Sequence, residues 1–306
     1  MKASYHSSGK LLLTGEYLVL SGAEALALPL KRGQTLQVLN KGKPDHIRWF
    51  SFYKNNSIFE GIFSNEKKKF ISTSNKQISS FLEKILSNIA SYLPIELHEK
   101  GLTINTYLEF PLHWGLGSSS SLIYNLAQWL QINPFNLNSM ISEGSGYDIA
   151  CAKSMQPIIY RKNGKNPSYN EVQFDPPYKD YLYFVYTGKK QNSRKEIRKY
   201  LNTHEISNEF HKEVHAINQE ILQSQTLSSF EKAIHKHEKL ISGILQKPTV
   251  QQSTFPDFPG TIKSLGAWGG DFILATWKYS LNELSEYFLR HNLDIIFSWE
   301  DLIKNE

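Results

Sequence analysis

The densest concentration of groups that could do chemistry is the segment Pro111-Leu112-His113-Trp114-Gly115-Leu116-Gly117-Ser118-Ser119-Ser120-Ser121. Its glycines let the backbone approach a ligand closely, and the N–H groups and dipole at the start of a following helix favour an anion. The serine hydroxyls add donors, and one of them could ligate Mg²⁺. The same residues also read as a glycine turn with serine caps, so by itself the segment leaves phosphate binding and a plain turn equally open. No G-x-x-x-x-G-K-[ST] loop occurs anywhere in the chain, and neither this segment nor Gly144-Ser145-Gly146 completes a G-x-G-x-x-G fingerprint.

Asp148 follows Gly144-Ser145-Gly146-Tyr147 and precedes Ile149-Ala150-Cys151-Ala152. It suits acid–base work, but its ordinary role at such a place is to cap a helix beginning at Ile149. Lys10 and Glu16 are surface charges by default. Cys151 reads as a small core residue of the same helix, since no partner base is identifiable. His211 and His215 lie one helical turn apart, yet the glutamate between them is misplaced for H-E-x-x-H and no third ligand is suggested, so a zinc site is a minor reading. His235 and His237, two apart on a helix, read as solvated. Lys189, Lys190, Arg194, Lys195, Arg198 and Lys199 form the strongest basic cluster, either a solvated helix start or an electropositive rim that attracts anionic substrates.

The elements that must position these groups are legible in outline. Short apolar and β-branched runs at 11–13, 34–39, 47–53 and 57–63 read as strands, with 66–69 as an exposed loop. From Asn75 to Leu93 the apolar residues Ile78, Phe81, Leu82, Ile85, Leu86, Ile89 and Ala90 share one helical face, and Pro94 closes the segment. Residues 101–110 alternate as a strand, and the glycine-serine turn leads into a helix over 122–130. Strands are expected at 157–161, 171–174 and 181–186, helices at about 191–223 and 227–246, a loop over 248–260, a strand at 272–277, then a last helix and strand. This interleaving predicts an antiparallel-rich α+β protein with a boundary near residue 155.

A chain of 306 residues with 40% hydrophobic and 21% charged side chains can bury a real core, which excludes disordered and collagenous classes. No apolar run approaches the ~18 residues of a membrane span, and Leu11-Leu12-Leu13 is too short for a signal core, so a soluble, cytoplasmic protein is expected. The single cysteine excludes an intrachain disulfide framework. A net charge of +5 would suit an anionic small molecule as well as nucleic acid.

The glycine-serine segment does not stand alone. Ser7-Ser8-Gly9-Lys10-Leu11-Leu12-Leu13-Thr14-Gly15-Glu16-Tyr17 precedes it, and Gly144-Ser145-Gly146-Tyr147-Asp148 and Gly266-Ala267-Trp268-Gly269-Gly270-Asp271 follow. Together these motifs, spread over nearly the whole chain, resemble the GHMP kinases, and among them most the phosphomevalonate kinases. Tyr186-Thr187-Gly188 with Ser193 is similar to the T-G-x-x-x-S/T substrate segment of that group.

The resemblance implies a two-lobed α+β fold. A ribosomal protein S5 domain 2-like, ATP-binding N-terminal lobe would span 1–155, and a ferredoxin-like C-terminal lobe 156–306. It implies ATP and Mg²⁺ as cofactors, with Pro111, Gly115, Leu116, Gly117, Ser118, Ser119, Ser120, Ser121, Gly269 and Gly270 around the nucleotide. Asp148 and Lys10 would be catalytic. Glu16, Tyr17, Gly146, Tyr147, Thr187, Ser193, Lys189 and Arg194 would face the acceptor, phosphomevalonate or mevalonate, and Ser118, Ser119 and Glu143 would be candidate Mg²⁺ ligands. Nucleic acid and membrane are not expected as partners, and a homodimer is compatible with the reading.

Two departures accompany the resemblance. Trp268 stands where a run of glycines is usual, so an indole must fit beside the phosphate loop or the loop must move outward. The acidic Mg²⁺ ligand of many relatives lies about ten residues ahead of the catalytic aspartate, whereas Glu143 is only five ahead. Two other readings stay open: a kinase of the same superfamily acting on a sugar or amino alcohol, and a non-catalytic RNA-binding or scaffolding protein that keeps the S5-like lobe.

Overall fold

A computed structural model of the protein describes residues 2–164, 167–188, 208–266 and 268–305. The chain divides into two compact units, the first holding residues 2–9, 32–112 and 116–153, the second 10–31, 113–115 and 154 onward. The main break thus falls between Lys153 and Ser154, while residues 10–31 and 113–115 count with the second unit.

The first unit is built on strands in the order β5-β4-β3-β6-β2: β5 is Lys69–Thr73, β4 Asn56–Ser64, β3 His46–Tyr53, β6 Leu102–Leu108, and β2, Glu24–Leu39, contributes its later half. β3 and β6 run parallel, and the other neighbours are antiparallel. β1, Lys2–Leu12, pairs with β2. Alternate residues of these strands, Leu36 and Val38, Ile47 and Trp49, Leu102 and Ile104, join one buried cluster with Leu82, Ile85 and Leu86 of α1 (Lys76–Asn88) and Leu122, Ile123 and Leu126 of α3 (Ser118–Leu130). The sheet therefore carries its helices on one face.

α1 starts where Asn75 accepts the N–H groups of Gln77 and Ile78. It ends earlier than the 75–93 expected, because Leu93, forced out of the helical region by Pro94, is extended and the last turn tightens to 3₁₀ over Ala90–Tyr92. The short α2 (Glu96–Lys100) precedes β6; α4 (Pro134–Ile141), capped by Asn133, and α5 (Tyr147–Lys153) complete the unit, and α5 packs on α3.

In the second unit the first half of β2 pairs with β7 (Ile158–Arg161), and β7 with β8 (Ser168–Glu171), three residues earlier than the strand expected at 171–174. A separate antiparallel sheet has the order β10-β11-β9-β12, with β9 at Leu182–Tyr186, β10 at Ile262–Leu265, β11 at Phe272–Thr276 and β12 at Ile296–Ser298. α6 (Asn208–Gln223) and α7 (Leu227–Leu245) form a hairpin, and α9 (Leu281–Arg290) and α10 (Trp299–Leu302) follow later. The expected 248–260 loop contains a helical turn, α8 (Val250–Thr254), made by reciprocal capping between Thr249 and Gln252. β10 is absent from the sequence expectation altogether. Among the described residues no helix is long and apolar enough to cross a membrane.

Candidate active site

In the first unit, α3 begins directly after Gly117, whose φ of 95° puts it in the left-handed region, and no side chain caps the helix. The first intrahelical donor there is the N–H of Ser121, which bonds the Gly117 carbonyl at 3.0 Å, so the N–H groups of Ser118, Ser119 and Ser120 point out of the helix start. The serines divide by role. Ser120 donates to the Gly117 carbonyl at 2.9 Å, and Ser121, fully buried, donates to Gln34 Oε1 at 2.8 Å while its carbonyl accepts from Ser7. Ser118 is half-buried and Ser119 exposed, and no described hydrogen bond engages either hydroxyl. Leu116 is buried, Pro111 half-buried, and the Leu116 carbonyl would lie 2.8 Å from a Cβ at Gly9, which is why β1 needs glycine there.

Asp148 lies in the first turn of α5, half-buried, and its Oδ1 accepts the Ile149 N–H at 3.1 Å. The helix starts at Tyr147, so Asp148 sits inside its first turn and accepts from the next residue instead of capping a helix that begins at Ile149. Gly146 precedes it with φ 91° and is buried, Tyr147 is half-buried, and Glu143 is exposed between α4 and α5. Cys151 is fully buried, as a core residue should be.

The second unit gathers a second set. Lys10 is half-buried near the end of β1. Gly115, φ 71°, lies against Asp271 so closely that a Cβ would come within 2.2 Å of Asp271 Oδ2. The carbonyl of Asp271 accepts both the N–H (2.9 Å) and the hydroxyl (3.2 Å) of Thr187. Trp114 packs on Tyr186 and Phe272, with ring centroids 5.4 and 5.9 Å apart. Within this unit the turn glycine Gly115, the Thr187-Gly188 segment and the third glycine motif thus come together. Gly269 donates to Ser264 Oγ at 2.9 Å, and Gly270 is buried. Lys189, Ser193 and Arg194, with the rest of the basic cluster, lie outside the described residues.

Glu16 requires a correction, since neither a surface charge nor an open acceptor contact describes it. The residue is 2% exposed; Oε1 accepts Lys263 Nζ at 2.8 Å, and Oε2 lies 3.2 Å from His237 Nε2. Burial pushes its carboxyl up to about 7, against the opposing pull of Lys263. Lys263 also reaches Glu238 Oε1 at 3.2 Å and the Ser264 carbonyl at 2.9 Å. Burial works against its charge, but the two carboxylates outweigh burial and its pKa ends above the usual lysine value. His237 is fully buried rather than solvated; it accepts the Gly15 N–H at 3.0 Å through Nε2, and burial holds its pKa well below the ordinary value. His237 therefore stays neutral, with its proton on Nδ1.

Tyr17, the next residue, is 6% exposed and has φ 65° and ψ −49°. With the Leu18 N–H bonded to the Glu16 carbonyl at 2.7 Å, this is a γ-turn of the strained hand, a conformation that costs about 1–3 kcal/mol and persists only where surroundings enforce it. The Tyr17 hydroxyl accepts the Trp268 N–H at 2.7 Å, and the Trp268 indole N–H donates to the Pro248 carbonyl at 3.2 Å. His211 and His215 are engaged by Ser21 and Glu24, at 2.9 and 2.7 Å. Among the described residues no group of three or more His, Cys, Asp or Glu could hold a metal ion.

Sequence reasoning missed Lys263, Glu238 and the burial of His237. A signal existed: Phe230, Ala233, Ile234, His237, Glu238 and Ile241 follow the i, i+3, i+4, i+7, i+8, i+11 spacing of a core-facing stripe on α7. Lys263 had no comparable signal.

Neither a protein-family model nor a curated protein matches the sequence. Solved structures do. Mevalonate kinase from Methanococcus jannaschii aligns at 17% identity with a TM-score of 0.72, covering 100% of this chain and 99% of its own. Streptococcus pneumoniae phosphomevalonate kinase, in complex with phosphomevalonate and AMPPNP, aligns at 16% identity with a TM-score of 0.69, covering 97% and 99%. Lactococcus lactis galactokinase, complexed with galactose, aligns at 13% identity with a TM-score of 0.70, covering 100% and 94%. Across its whole length the protein therefore has the mixed α+β two-sheet fold of the GHMP kinases, the fold shared by mevalonate kinase, phosphomevalonate kinase and galactokinase.

Proposed function

We propose that the protein is an ATP-dependent small-molecule kinase that transfers the γ-phosphoryl group of ATP to phosphomevalonate or mevalonate. The observation that carries this reading is the start of α3. Among the described residues no side chain caps its first N–H groups and no hydrogen bond engages the Ser118 and Ser119 hydroxyls, while Ser120 and Ser121 are turned inward to hold the turn in shape. A helix start of this kind favours phosphate oxygens. In a chain with this fold, a nucleotide is the phosphate donor that best fits it.

In this reading Asp148 takes the proton of the attacking acceptor oxygen, and Lys10 stabilises the negative charge developing there. The N–H groups of Ser118 to Ser120 hold phosphate oxygens, with Pro111, Gly115, Leu116, Gly117, Gly269 and Gly270 shaping the backbone around them. Gly146, Tyr147, Tyr17, Thr187, Lys189, Ser193 and Arg194 serve the acceptor. Mg²⁺ would neutralise charge on the transferred group, held by Ser118, Ser119 and Glu143. An ion that arrives on nucleotide phosphates and keeps several waters needs few protein ligands, and two hydroxyls with one carboxylate are oxygen donors of the kind Mg²⁺ takes.

Phosphomevalonate is the favoured acceptor, because its extra charge suits the basic residues that follow Thr187-Gly188. The test is a coupled ADP-release screen over mevalonate, phosphomevalonate, homoserine and hexoses, run beside Asp148→Asn. Turnover on one of the first two, reduced at least ~100-fold by the substitution with ATP binding kept, is the expected result. Turnover on a hexose or homoserine alone would move the assignment to another acceptor class, and wild-type turnover in Asp148→Asn would leave that residue a structural carboxylate in the first turn of α5.

A further inference from the structure

β10 places two adjacent side chains in two different motifs. Lys263 donates to Glu16 Oε1 at 2.8 Å, in the Gly15-Glu16-Tyr17 motif, and the hydroxyl of Ser264 accepts the Gly269 N–H at 2.9 Å, in the third glycine motif. The Lys263 ammonium has three protons and three acceptors, Glu16, Glu238 and the Ser264 carbonyl, so it is fully satisfied although fully buried. Burying a lysine ammonium beside two carboxyl groups is an expensive way to fill space that aliphatic side chains would fill as well. What the charges accomplish is local: they reach the residues on which the Tyr17 turn depends.

Glu16 is held by Lys263 from β10, and Gly15 is held by His237 from α7, whose Nε2 accepts its N–H. Gly15 leaves no room for a side chain, because a Cβ there would lie 2.4 Å from the Glu24 carbonyl, so its backbone packs directly against β2. Both residues before Tyr17 are thus fixed, and Tyr17 is driven into its γ-turn. From that turn its hydroxyl reaches the Trp268 N–H at 2.7 Å, next to the Gly269 that Ser264 holds.

We propose that Lys263, acting through Glu16, is a positioning residue that registers the first motif against the third, holding Tyr17 in its strained turn so that its hydroxyl fixes the backbone at Trp268 and Gly269. Lys263 touches neither nucleotide nor acceptor in this scheme. The arrangement stands on geometry within one unit; only its kinetic consequence rests on the kinase reading.

The experiment separates positioning from stability. The triple variant Glu16→Leu, Glu238→Leu, Lys263→Met replaces the buried charges with apolar side chains of similar size, a replacement that often leaves stability unchanged or raised. The protein is labelled with 5-fluorotryptophan, and the Trp268 ¹⁹F resonance is assigned from Trp268→Phe. The expected result is a displaced or broadened Trp268 signal in a triple variant whose melting temperature is at least that of wild type, with Tyr17→Phe displacing the same signal and the other tryptophans unmoved. A Trp268 signal identical to wild type in the folded variant would overturn the proposal. Should the triple variant not fold, Lys263→Met, which removes the donor that holds Glu16 Oε1 while burial favours protons on the two carboxyl groups left behind, carries the same readout and the same decision. In the kinetic arm, KM for ATP and acceptor should both rise roughly five-fold or more. If wild type itself turns over no acceptor, the kinase reading fails and the fluorine arm still decides the positioning role.

Discussion

The hydroxyl of Tyr17 accepts the backbone N–H of Trp268 at 2.7 Å, although the two residues are 251 apart in the chain. This bond uses the backbone of residue 268 and so does not depend on the tryptophan side chain that stands where glycines were expected. The backbone at Trp268 is held from the first motif, and its indole is held by the Pro248 carbonyl.

Tyr17→Phe removes the only atom of Tyr17 that makes this bond and changes nothing else in the ring. The expected loss is about 1 kcal/mol, the net worth of one part-buried hydrogen bond. It should appear as a lower urea midpoint at unchanged slope. A midpoint equal to wild type would mean that water replaces the hydroxyl without cost.

Gly115 and Gly266 share a left-handed backbone, φ 71° and 74°, but not their surroundings. At Gly115 a Cβ would fall 2.2 Å from Asp271 Oδ2, whereas at Gly266 no described atom outside its neighbours lies within 4 Å. Gly266→Ala should therefore cost only the backbone penalty, about 1 kcal/mol. Gly115→Ala should cost markedly more, because either Asp271 or the turn must move, and should also displace Thr187, which bonds the Asp271 carbonyl at 2.9 Å. Chemical denaturation of the two variants side by side decides it; equal losses would mean that Asp271 simply rotates away.

The serines of the turn offer a second paired comparison. Ser121→Ala leaves Gln34 Oε1 buried and without the hydroxyl that donates to it at 2.8 Å, so stability should fall by about 1–3 kcal/mol. Ser119 is exposed and engages nothing described, so Ser119→Ala should leave the melting temperature within a degree or so while weakening Mg·ATP binding roughly five-fold, measured by calorimetry. Unchanged nucleotide affinity in folded Ser119→Ala would remove that hydroxyl from the phosphate site.

The parts of the molecule that were legible in the sequence are those where one physical rule dominates. The apolar stripe of α1, the alternation of β6 and the glycine-serine turn each depend on local spacing, and each forms an element at or near its expected place. β10 escaped because Ile262-Lys263-Ser264-Leu265 has neither alternation nor an apolar run; its lysine is buried by partners 247 and 25 residues away. Glu16 was read as a surface charge because a charged residue beside a glycine looks exposed until the partner of its charge is known, and as a substrate contact because of its place in the first motif. Long-range charge pairing leaves no period in the sequence, and so the buried set around Lys263 could emerge only from the folded chain.

That buried set also makes stability depend on pH in a definite direction. Glu16 in the folded protein holds its proton up to about 7, mainly because burial disfavours its charge, while in the unfolded chain it titrates near 4.5. Between those values the folded state binds the extra proton. The Glu16 contribution is therefore fully present below about pH 4.5 and is lost as pH rises through about 7, on the order of 3 kcal/mol in all. Glu238 acts in the same sense, His237 in the opposite sense as pH falls below its ordinary value, and Lys263 titrates above the window. These groups remain in Glu16→Gln, so the difference between the two proteins reports Glu16 together with its coupling to Lys263 and Glu238. Urea denaturation at pH 5, 6, 7 and 8 should find Glu16→Gln gaining on wild type as pH rises. A gap that stays constant across the series, or one that widens towards acid, would mean that Glu16 is ionised throughout, and that Lys263 holds a carboxylate rather than a shared proton.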